Sequence, residues 1–113
     1  MSLPLQTLNP EFCVAPQLDP TAMAEAAAAG FRSVINNRPD YEGGPDQPTS
    51  AQIEAAARAA GLEYRYLPVN GAYQSPEEIA AFRELIDSLP RPILAFCRSG
   101  ARSTKLFTAA SQL

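Results

Sequence analysis

Cys97-Arg-Ser-Gly-Ala-Arg-Ser103 gathers a thiol, two guanidinium groups, two hydroxyls and a glycine into seven consecutive residues. It follows an apolar run, Pro92-Ile-Leu-Ala-Phe-Cys97, and helix-forming sequence resumes at Ser103. A loop leading from a strand into a helix presents unpaired backbone N–H groups, and in a tight Ser-Gly-Ala turn those groups converge on an anion. The same field favours thiolate over thiol. Cys97 is therefore expected to titrate below the ordinary value of about 8.5 and to act as a nucleophile without a general base. Arg102 is expected to stabilise the bound anion. Arg98, the stretch Ser99, Gly100 and Ala101, and the Ser103 hydroxyl would complete the binding loop, with only one arginine required to face inward. A lone cysteine ending a core strand is usually packing. Two arginines directly after a buried strand are costly unless they hold an anion, a carboxylate or solvent, and they make a functional loop the stronger reading.

What the chain lacks narrows the chemistry. It has no histidine, which excludes a Ser-His-Asp triad, a Cys-His dyad and histidine-based zinc sites. Its two cysteines, Cys13 and Cys97, are too few for a thiolate zinc site, so neither metal nor cofactor is expected. Cys13 lies in a strand-like run, where packing is favoured over a resolving thiol. The net charge of −3 supplies no basic face for nucleic acid. No apolar run approaches the ~20 residues of a membrane span. The opening MSLPLQTLNPEF lacks a basic segment followed by an apolar core, so a cytoplasmic location is expected. The length of 113 residues suits one domain over 1–113.

The elements that would position the loop alternate between strand and helix, the pattern of an α/β domain with a mainly parallel sheet flanked by helices. Strands are expected at Glu11–Ala15, Phe31–Asn37, Leu62–Val69 and Pro92–Cys97, the last apolar on both faces and hence central. The first helix is expected to open with Asp19 as cap and Pro20 at its first position, and to close at Gly30. Thr49-Ser-Ala-Gln52 and Ser75-Pro-Glu-Glu78 fit capping boxes for two more helices. Between them Arg38 to Pro48, with three prolines and two glycines, can only be a long surface loop. Arg38 and Asp40 in that loop either border the pocket or form a local ion pair in an Arg-Pro-Asp turn. Tyr41 and Tyr73 sit in loops that could shape an entrance.

Cys97-Arg-Ser-Gly-Ala-Arg-Ser103 resembles the active-site loops of cysteine-dependent phosphatases (C-x-x-G-x-x-R) and of rhodanese-like sulfurtransferases (C-R-x-G-x-R-S). Together with Val34-Ile-Asn-Asn-Arg-Pro-Asp40, Gln47-Pro-Thr49 and Leu67-Pro-Val69, it makes the chain from Gln17 onward similar to a bacterial family, the beta-lactamase hydrolase-like protein phosphatase-like domain, also labelled a family of sulfur transferases. The resemblance implies a dual-specificity (protein tyrosine) phosphatase-like fold and, in some members, fusion or association with a hydrolase or persulfide dioxygenase domain.

Two chemistries follow from the resemblance. A phosphatase of the signature type carries arginine six positions after cysteine, whereas Arg102 stands five after Cys97. A phosphatase also needs a general acid. Asn70-Gly-Ala-Tyr-Gln74, where the resemblance would place one, has no carboxylate, which leaves Asp40 as a substitute. Sulfur transfer through a Cys97 persulfide, from a small anionic donor such as thiosulfate to a thiol acceptor, needs no such donor. The expectation is therefore a rhodanese-like sulfurtransferase, with a phosphatase acting through phosphocysteine as the alternative and a non-catalytic anion- or partner-binding module as the third reading.

Overall fold

In the computed structural model the described residues, 3–113, run β1 (Gln6–Asn9), β2 (Phe12–Ala15), α1 (Ala22–Ala28), β3 (Ser33–Asn36), α2 (Ser50–Ala59), β4 (Glu63–Tyr66), α3 (Pro76–Ser88), β5 (Ile93–Phe96) and α4 (Ala101–Ala110). Met1 and Ser2 of the domain expected over 1–113 lie outside the described residues.

One five-stranded sheet has the order β1-β2-β5-β3-β4. β5 is central and wholly buried, as its apolar character on both faces requires. It pairs in parallel with β2 on one side and β3 on the other, and β3 pairs in parallel with β4. β4 buries only Tyr64, as suits an edge. The opposite edge is β1, antiparallel to β2. That strand was not expected: Gln6-Thr-Leu-Asn9 is short, polar and mostly exposed, so neither apolar alternation nor β-branched content marks it.

Strand alternation divides the interior in two. Val34, Leu94 and Phe96 point to one core, packed with Met23 and Ala26 of α1 and Ile53 and Ala57 of α2. Ile35, Ile93 and Ala95 point to the other, with Phe82 of α3 and Leu106 and Ala110 of α4. The capping boxes at Thr49–Gln52 and Ser75–Glu78 form as expected, each with reciprocal side-chain and backbone bonds.

α1 departs from expectation. Asp19 does accept the Ala22 N–H at 3.1 Å, but Pro20 lies in the preceding turn and the helix begins at Ala22. Gly30 ends it with φ 101°, as a left-handed C-terminal residue should. α4 begins two residues before the expected Ser103, because Gly100 itself caps it. Among the described residues no helix is long and apolar enough to cross a membrane.

Candidate active site

The parallel register brings the chemistry together. Phe96 pairs with both Ala15 and Asn36, so β2, β5 and β3 end level and their next residues share the carboxyl edge of the sheet, where ligands bind in open α/β folds. Cys97, Asn37, Arg38 and Gln17 gather there. Backbone bonds knit that edge: Asn37 N–H donates to Phe96 O at 2.9 Å and Gln17 N–H to Arg98 O at 3.2 Å.

The loop then turns sharply at Gly100, whose φ of 94° is open to glycine and strained for other residues. This turn aims the Gly100 N–H at the Cys97 sulfur, 3.0 Å away. Cys97 is only 1% exposed, and burial, the largest single influence on its thiol, opposes ionisation. The amide and hydroxyl of Ser103, with the amides of Gly100 and Ser99, outweigh it and hold the thiol below its ordinary value. The sulfur is thus buried among donors rather than sealed in hydrocarbon.

The two arginines take different positions. Arg98 is exposed, as are Ser99 and Ala101. Arg102 turns inward and is 9% exposed. Its Nη1 donates to Val69 O at 3.1 Å and its Nη2 to Glu42 Oε1 at 3.0 Å, while its buried Nε has no partner. Gly71 allows this placement, since a Cβ there would stand 2.9 Å from Nη2. An unspent buried guanidinium donor suits an anion.

Glu42 is the site residue that sequence reasoning missed. Its Oε1 also accepts the Arg38 Nε at 3.0 Å, so one carboxylate bridges both arginines. The preceding Tyr41 takes a left-handed backbone, φ 64°, unusual for a tyrosine. Arg38 borders the carboxyl edge and also reaches Gln17 Oε1 at 3.1 Å, so its ion pair is with Glu42 and not with Asp40. Asp40 accepts the Ser50 N–H at 2.7 Å, at the start of α2. Among the described residues no hydrogen bond or ion pair joins Asp40 to the Cys97 loop. Tyr41 and Tyr73 are both exposed, and Cys13 is packed in the core, paired across the sheet with Leu94. No group of three His, Cys, Asp or Glu residues gathers to hold a metal among the described residues.

Known proteins share this architecture. A family model described as "Beta-lactamase hydrolase-like protein, phosphatase-like domain" matches residues 4–113. A beta-lactamase hydrolase-like protein of Agrobacterium fabrum is 38% identical over 87 residues, 77% of this chain, and the chain spans 20% of that relative's length. A candidate phosphatase from Neisseria meningitidis, solved by crystallography, superposes with a TM-score of 0.85 at 31% identity, over 94% of this chain and 75% of that one. Tk-PTP superposes with a TM-score of 0.68 at 17% identity, over 96% of this chain and 79% of that one, a likeness of fold alone. The fold is that of the dual-specificity and protein tyrosine phosphatases, and the domain is phosphatase-like. These names favour the phosphatase alternative over the expected sulfurtransferase, which none of the four mentions.

Proposed function

The chain belongs to the beta-lactamase hydrolase-like protein, phosphatase-like domain family, and from that premise we propose that it is a cysteine-dependent phosphatase whose nucleophile is Cys97. The observation that carries this reading is the Gly100 N–H on the Cys97 sulfur in a loop whose inward arginine keeps one donor unspent. The thiolate attacks phosphorus, the bond to the leaving oxygen breaks, and water then cleaves the phosphocysteine to inorganic phosphate and free thiol. Arg102 and the amides from Ser99 to Ser103 hold the phosphoryl oxygens, with Arg98 and Arg38 adding positive charge at the rim. Asp40 caps α2 and Glu42 holds two arginines, so neither stands free as proton donor. The substrate class that suits such a site is a phosphate bonded to a stable leaving group, such as an aryl phosphate.

Sulfur transfer is the second reading, favoured by one specific observation: four residues, not five, separate Cys97 from Arg102, a narrower ring suited to a terminal sulfur. Here the thiolate takes the outer sulfur of thiosulfate, sulfite leaves with the bonding electrons, and a thiol acceptor removes sulfur from the Cys97 persulfide. A persulfide-consuming domain elsewhere in a longer chain would be the natural associate of that activity.

One preparation assayed with an aryl phosphate, and separately with thiosulfate plus a thiol acceptor, tests both beside Cys97→Ser. Phosphate release that disappears in Cys97→Ser is the expected result. Turnover of thiosulfate alone would transfer the assignment to the second reading. If neither substrate turns over and Cys97 is alkylated no faster than an ordinary thiol, the loop is a binding module.

A further inference from the structure

Two buried guanidinium groups converge on one carboxylate oxygen beside the Cys97 loop. Arg38 and Arg102 are each 9% exposed, and Glu42 Oε1 accepts from Arg38 Nε and from Arg102 Nη2, both at 3.0 Å. Two cations thus share one anion, and the trio keeps a net positive charge. The backbone is cleared for this on both sides. A Cβ at Gly43 would stand 2.6 Å from Arg38 Nη2, and one at Gly71 would stand 2.9 Å from Arg102 Nη2 and 3.2 Å from its Nε. Arg102 is fixed from behind: its Nη1 donates to Val69 O at 3.1 Å, and the hydroxyl of its neighbour Ser103 donates to Asn37 Oδ1 at 2.8 Å. Nε and Nη2 form one edge of a guanidinium, an edge that a carboxylate can take with two parallel bonds. Glu42 takes only half of it, and the buried Arg102 Nε is left without a partner.

We propose that Arg38 is a positioning residue for the anion site: by holding Glu42 through its own Nε, it keeps that carboxylate from closing on the second donor of Arg102 and so reserves the Arg102 Nε for the substrate's anion. Without Arg38, Glu42 is free to rotate onto the whole edge, and its full charge then stands where the incoming anion must bind. Glu42 orients Arg102 usefully only while a second arginine restrains it. Arg38 acts through Glu42 and touches no reacting atom. The inference rests on the Cys97 loop binding an anion, as both phosphoryl and sulfur transfer require, and holds whichever group is transferred.

The test is protection of Cys97 from iodoacetamide by inorganic sulfate, with inorganic phosphate run beside it, followed by mass spectrometry on the Cys97 peptide. Each protein is assayed at its own alkylation midpoint, the pH of half-maximal rate, so that an altered thiol does not pass for altered anion binding. Arg38→Met keeps a packed stem and loses the guanidinium. It should raise the half-protecting sulfate concentration about tenfold, the order expected when an opposing charge closes on a partly buried site. The double variant Arg38→Met, Glu42→Gln should match Glu42→Gln alone within about twofold, because no carboxylate is left to capture Nε. An Arg38→Met that binds sulfate as the unaltered protein does overturns the proposal. So does a loss that persists in full beside Glu42→Gln, which would make Arg38 a direct source of charge for the anion. Should Arg38→Met fail to fold, NMR of the unaltered protein supplies a second measurement, the exchange of arginine Nε protons with solvent. Sulfate should slow exchange at Arg102 and leave that at Arg38 unchanged, since the Arg38 bond to Glu42 persists. Faster exchange at Arg38, or none slowed at Arg102, sinks the idea. An unaltered protein that neither ion protects also overturns it, even where a substrate is turned over. Protection without turnover counts against the proposed function and leaves this inference standing.

Discussion

Glu42 shares a single oxygen between Arg38 Nε and Arg102 Nη2, each 3.0 Å away. Burial is the largest influence on its carboxyl and acts to raise it, yet the bonds from Arg102 and Arg38 together hold it below its ordinary 4.5. Because the folded value lies below the unfolded one, the pairing stabilises the fold above the unfolded value, and that stabilisation is lost as pH falls through the folded one. Glu42→Gln should thus cost about 1 kcal/mol at neutral pH, and urea denaturation at successive pH values should show the gap from the unaltered protein closing below about pH 4. A gap that stays constant into acid would mean that charge plays no part. The same variant should raise KM for an aryl phosphate more than it lowers kcat, since Arg102 loses the partner that orients it. Cys97, Gly100, Arg102 and Ser103 could be read from sequence because seven consecutive residues carry them. Glu42 and Asn37 could not: they stand 60 and 66 positions from Arg102 and Ser103, and the four-residue spacing of Arg38 and Glu42 says nothing of Arg102.

At the scale of elements, the turn into α4 decides whether the loop works. Gly100 has φ 94°, and a Cβ there would come no closer than 3.5 Å to Ala15, so replacing it meets conformational strain rather than collision. Gly100→Ala should destabilise the fold by about 1–2 kcal/mol, read from the urea midpoint. It should also slow alkylation of Cys97 at neutral pH, because the amide 3.0 Å from the sulfur no longer points at it. Unimpaired alkylation in a destabilised variant would show that the thiolate owes little to this amide. Elements were legible where chemistry is local. Thr49 with Gln52 and Ser75 with Glu78 announce their helices, and the apolar Ile93–Phe96 announces the central strand. β1 was hidden because its identity comes from antiparallel pairing with β2 rather than from its own residues. The onset of α4 was hidden because Ala101 and Arg102 become helical only once Gly100 has made its left-handed turn.

Across the whole molecule, β5 is gripped from both faces: Leu94 and Phe96 enter one core, Ile93 and Ala95 the other. The alternation of strand and helix made this layered plan readable, whereas the assignment of α1 and α2 to one face and α3 and α4 to the other depends on strand order. The arrangement has a mechanical consequence for the Cys97 loop, which hangs from the strand anchored on both sides. Phe82 of α3 is fully buried and meets Phe12 edge to face, ring centres 5.9 Å apart at 73°. Phe82→Ala should leave a cavity and cost about 3–5 kcal/mol, a large share of the ~5–15 kcal/mol typical of a domain. If β5 transmits little of that loss, the urea midpoint should fall with its slope preserved, while the midpoint for Cys97 alkylation under native conditions stays where it was. A shifted alkylation midpoint would instead show that packing of α3 against β5 and α4 sets the loop's geometry, and that the nucleophile is tuned by the far core as well as by its own donors.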